Sequence, residues 1–154
     1  MSISATLAQL QTVLKAMTTP PKVILISPRE FVNMAEFPAV VMELPDNVQG
    51  TLTMDNRGWS RNQYPIKMLI FVGSLKATPY DQLNERALLW IDRLRNAITP
   101  DSMAISNSVL TGKDETDQIV ITYVKGQIPW GDNTEGYYGL ICQISFLERF
   151  KDWN

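Results

Sequence analysis

The stretch IKMLIFVGSLKATPYDQLNERALLWIDRLRNAI, running from Ile66 to Ile98, decides the fold class. Its first seven residues, Ile66 to Val72, are apolar on both alternating faces except at Lys67. That is the pattern of a strand lying centrally in a sheet and covered on both sides. Thr78 with Asp81 three residues later forms a candidate capping box, and Pro79 suits the first helical position. Leu83, Ala87, Trp90, Ile91, Leu94 and Ile98 then recur at helical spacing, while Asn84, Glu85, Asp92, Arg93 and Arg95 are polar. Thr99-Pro100 ends the helix, since the residue before proline is pushed out of the helical region.

Outward from this pair, the remaining elements fall into place. Ser4 is a candidate cap for a first helix reaching about Met17, with Leu7, Leu10, Leu14 and Met17 on one stripe. Thr18-Thr19-Pro20-Pro21 stops it. Val23 to Ile26 reads as a short strand, and Ser27-Pro28-Arg29-Glu30 as the start of a helical turn reaching Met34. Pro38 to Leu44 is a second strand with proline at its first position, where the lost donor costs least. Past a loose segment from Asp101 to Asp117, Gln118 to Lys125 alternates as a strand. Tyr137 to Leu147 is another, with Tyr138, Leu140, Cys142, Ile144 and Phe146 on one side. The expectation is a single α+β domain over residues 1–154, a mostly antiparallel sheet packed by two helices.

Two connections are long, Pro45 to Gln63 and Gly126 to Gly136, and long loops in small domains usually carry function or disorder. The first holds a half-alternating stretch (Val48, Thr51, Leu52, Thr53, Met54) and a turn signal at Asp55-Asn56-Arg57-Gly58. Both a projecting β-hairpin arm and a plain surface loop fit it.

Composition narrows the function. The 154 residues suffice for one self-supporting core, and 45% hydrophobic with 19% charged residues is globular in character. Fourteen Lys+Arg against 16 Asp+Glu, a formal net charge of −2, lacks the basic excess of a nucleic-acid binder. A single cysteine, Cys142, permits no intrachain disulfide and suits a reducing compartment. The opening Met1-Ser2-Ile3-Ser4 lacks the basic and apolar regions of a signal peptide, and no apolar run approaches membrane length. The expected place of synthesis is the cytoplasm, with no membrane association.

The chain has no histidine, which removes the usual general base, the commonest metal ligand and the Ser-His and Cys-His nucleophile pairs. With one cysteine there is no ordinary tetrahedral zinc site either. Gly112-Lys113 lacks the Ser or Thr and the earlier glycine of a phosphate loop. Asp114, Glu115 and Asp117, like Asp132-Asn133-Thr134-Glu135, read as solvated loop charges without an EF-hand pattern. Cys142 shares a face with Leu140 and Ile144 and reads as core. No catalytic residue, metal or cofactor is expected. A carboxylate-only enzyme would need a pocket joining two or more of Glu43, Asp114, Glu115 and Asp117.

Aromatic residues outside the core positions, with two neighbouring arginines, give the candidate subunit interface: Arg57, Trp59, Arg61, Trp130 and Tyr137. Trp, Tyr and Arg are the residues that concentrate binding energy at protein interfaces. Trp59 and Trp130 each neighbour a glycine in a long loop, and either ring has a second reading, folded back to cap one end of the sheet. Tyr137, Tyr138 and Phe146 lack the glycine-aromatic run and basic flanks of an RNA-binding sheet.

The order of parts resembles the tail terminator (tail completion) proteins of long-tailed bacteriophages. The resemblance lies in a short opening helix followed by Pro21-Lys22-Val23-Ile24-Leu25-Ile26 and Ser27-Pro28-Arg29-Glu30-Phe31. It continues through Phe37-Pro38-Ala39-Val40-Val41-Met42-Glu43-Leu44, a long loop, a strand, the helix Pro79 to Ile98 and the closing Gly136-Tyr137-Tyr138-Gly139-Leu140. It implies a virion protein forming a ring, typically a hexamer, at the head-proximal end of the tail tube. Such a ring ends tube polymerisation, meets the tail tube protein and the head-tail connector or stopper, and lets DNA pass without specific binding. A head-side neck protein, a stopper or adaptor, shares a similar layout and is the alternative within the same class. The family brings no catalytic residues.

Overall fold

Residues 66–72 form the middle of the longest strand of the sheet in the computed structural model, which describes residues 3–26, 36–43, 53–54, 59–103, 114–130 and 136–151. The elements in chain order are α1 (Ile3–Lys15), β1 (Val23–Ile26), β2 (Ala39–Glu43), β3 (Thr53–Met54), β4 (Trp59–Ser74), α2 (Tyr80–Ala97), α3 (Pro100–Met103), β5 (Asp114–Ile128) and β6 (Tyr137–Lys151). The sheet runs β1-β2-β4-β6-β5, with β3 pairing at the start of β4. Among the described residues β1 and β2 pair parallel and every other pairing is antiparallel. The α+β class expected from the periodicities is therefore the one observed, with β4 central as its two-sided apolar pattern requires.

Register assigns each strand residue to a face. On one face Val40, Met42, Ile66, Met68, Ile70, Val72, Tyr138, Leu140, Cys142 and Ile144 meet Leu7, Leu10 and Leu14 of α1 and Leu83, Ala87, Trp90 and Leu94 of α2. The helical stripes read from the sequence are the stripes that are buried. On the opposite face Ala39, Val41, Leu69 and Phe71 form a second, smaller cluster with Ile128, Trp130 and Tyr137. Two facing layers on one sheet explain why residues 68–72 alternate without a polar side.

Local chemistry corrects three expectations. Pro79 is the N-cap of α2 and no side chain caps it, so Thr78 and Asp81 do not form a capping box. Ser4 lies inside α1 and not at its cap. After α2 the chain is not loose at once. The Thr99 Oγ1 accepts from the Ser102 N–H at 3.1 Å while the Ser102 Oγ accepts from the Thr99 N–H at 2.9 Å, a reciprocal cap that starts α3. Gln9 of α1 donates through Nε2 to the Ser102 carbonyl at 2.8 Å, tying the two helices together.

Glycine is required where strands crowd. A β-bulge between Phe71 and Gly73 brings the Ile70 carbonyl so near Gly139 that a methyl group there would collide with it. Gly136, entering β6, holds φ at 75°, a left-handed value that favours glycine. The expected helical turn from Ser27 to Met34 lies outside the described residues.

Candidate functional site

Strand length is the feature that outruns the sequence reading. β4 has 16 residues and β5 and β6 have 15 each, where Ile66 to Val72, Gln118 to Lys125 and Tyr137 to Leu147 were expected. At the usual rise β4 is about 53 Å long, while the 18 residues of α2 span about 27 Å. Pairing between β4 and β6 continues unbroken from Ile66↔Ile144 out to Trp59↔Lys151, and β5 joins β6 as far as Asp114↔Phe150. The result is a three-stranded ribbon whose outer portion exceeds what one helix can cover. Residues 53–54 and 59–63 of the expected Pro45 to Gln63 connection are therefore strand. Thr53 and Met54 pair antiparallel with Arg61 and Ser60.

The outer ribbon contains two candidate interface residues. The backbones of Trp59 and Arg61 open β4; their side chains, and all of Arg57, lie outside the described residues. Register sets Arg61 directly across from Arg149, which in turn faces Glu115 on β5.

Trp130 and Tyr137 have a different position. Trp130 is 5% exposed and Tyr137 4%, and both rings pack edge-on against Phe71 with centroids 5.4 Å away. Phe37 adds a tilted contact to Tyr137 at 6.1 Å. Of the two readings open for Trp130, the ring folded onto the sheet is the observed arrangement, which leaves almost none of either side chain for a partner. The Gly126 to Gly136 connection is shorter than expected, because β5 continues to Ile128.

The remaining chemistry-bearing groups are dispersed. Cys142 is fully buried, and that burial pushes its thiol up to about 12. Tyr123 has its hydroxyl buried without a hydrogen-bond partner. Burial, reinforced by Cys142 and opposed by Arg95, raises it to about 12. Glu43 and Lys67, cross-strand neighbours on the face opposite the helices, form an ion pair at 3.7 Å with both side chains partly in solvent. Asp114 and Glu115 lie in β5 and pair with β6, not in a loop. Among the described residues no three acidic, cysteine or histidine side chains gather as a metal site. A groove of about 430 Å³ separates the end of α1 from α2, lined by Val13, Met17, Thr18, Arg93, Asn96 and Ser102 among others, with no carboxylate.

Exposed apolar side chains mark two surfaces the periodicity could not identify. Val120 (46%) and Val124 (55%) stand on β5 facing away from the helices, and Leu88 and Leu89 lie on the outer side of α2. In the run Ile119-Val120-Ile121-Thr122-Tyr123-Val124 both faces look equally apolar. The register with β6 decides between them: it sets Ile119, Ile121 and Tyr123 on the helix face and leaves Val120 and Val124 exposed on the other.

No family model matches the chain, and no curated protein matches it. Among the described residues no helix is long and apolar enough to cross a membrane.

Proposed function

We propose that this chain is a structural subunit of a bacteriophage tail, forming a ring at the head-proximal end of the tube, where it ends polymerisation and joins tail to head. The single observation that carries the proposal is the ribbon of β4, β6 and β5, far longer than its helix cover and opening with Trp59 and Arg61. An extended strand ribbon supplies neighbours with backbone hydrogen-bonding groups and interface-type side chains at once. A ring requires head-to-tail contacts that close after a fixed number of copies, and such contacts need two unlike surfaces on one subunit. The ribbon and the helix-bearing body are two such surfaces. The order of parts in the sequence resembles that of tail terminator proteins, as described above, which supports the same reading. The partners are sibling copies, the tail tube protein and the head connector, with DNA passing through.

Negative-stain imaging of particles assembled without this chain tests the proposal. Tails of uncontrolled length identify a terminator. Finished tails of normal length beside leaking heads move the assignment to a head-side stopper or adaptor, the second reading of the same layout. Normal infectious particles overturn both.

A further inference from the structure

We draw no further inference here: the strongest candidate, the outer face of α2 with its exposed Leu88 and Leu89, is an unpartnered helix face, and nothing in the structure shows what covers it.

Discussion

The two faces of the sheet are built from the same strands and sealed in opposite ways. The helix face is closed from Ile66 to Val72 by α1 and α2, whose stripes run the length of the buried strand segments. Among the described residues the other face is closed at one end, by Phe37, Trp130 and Tyr137 over Phe71. Farther along it Lys67, Gln143 and Thr122, in register across β4, β6 and β5, meet solvent, and exposed Val120 and Val124 flank Thr122 on β5. Continuous secondary structure covers a face evenly; a connection covers only where its aromatic residues happen to reach. The difference teaches that this domain has one core by construction and a second one concentrated in three aromatic rings.

The sharpest way to break that contrast is to empty each face in turn. Leu94→Ala on α2 removes a fully buried side chain from the helix face, at an expected cost of about 2–5 kcal/mol. Phe71→Ala, equally buried but on the opposite face, is expected to cost about 3–5 kcal/mol, because Trp130 and Tyr137 both lose their packing partner. Urea denaturation monitored by far-ultraviolet circular dichroism measures both. A Phe71→Ala cost below about 1 kcal/mol would mean that the aromatic cover is loose and that this face is effectively open.

Helix cover also depends on how its last element is fixed. Thr99→Ala removes the hydroxyl that accepts from the Ser102 N–H, an expected loss of about 1 kcal/mol. Ser102 is also held by Gln9, so the same substitution should loosen the α1 contact. Faster hydrogen exchange confined to α1 and α3, with the strands unchanged, is the expected signature. A uniform loss across the sheet would show that α3 is no separate unit.

Alkaline pH probes the helix face selectively. Tyr123 and Cys142 adjoin there, and burial raises the phenol from 10.0 and the thiol from 9.0, each to about 12. In the unfolded chain these groups lose their protons at the lower values, whereas the folded chain keeps them. Between about pH 9 and 12 the unfolded state therefore binds fewer protons, and stability falls as pH rises. Below that window their contribution is fully present. The urea midpoint should hold steady at neutral pH and decline through this range, and Tyr123→Phe should flatten part of the decline. A pH-independent midpoint in that variant and wild type alike would contradict the burial of both groups.

How much of this was legible in the sequence follows from what each signal reports. The stripes of α1 and α2 and the two-sided strand at Ile66 to Val72 were readable, because burial imposes a period on the side chains. The outer ribbon was not, since Ser60, Arg61, Asn62 and Gln63 are strand residues whose polar sequence carries no apolar alternation. Their strand conformation comes from cross-strand pairing with β6, nearly ninety positions away. The capping pattern misled in the same way: Thr78-Pro79-x-Asp81 has the right letters, yet the cap is Pro79, while the reciprocal cap actually formed uses Ser102 in place of a glutamate. Trp130 was ambiguous because a tryptophan beside glycine serves a partner and its own sheet equally well; Phe71, far off in sequence, decided it.

The smallest expected effect lies on the open part of the second face. Lys67 interrupts an apolar strand, and Glu43 stands directly across from it on β2, the two charged groups 3.7 Å apart with both side chains partly hydrated. An ion pair in that setting gains little, because water competes with the partner and ordering two flexible side chains costs entropy; a few tenths of a kcal/mol is the expected contribution. Glu43→Gln should therefore shift stability by less than about 0.5 kcal/mol, and high salt should erase what remains. The argument turns on hydration. Were the sheet at this point covered as Phe71 is, removing one charge would strand the other in a low-dielectric setting and cost several kcal/mol. A double-mutant cycle between Glu43→Gln and Lys67→Met in urea denaturation measures the coupling directly. A value near zero keeps this end of the face open to water, whereas a coupling above about 2 kcal/mol would require a cover over it and erase the contrast between the two faces.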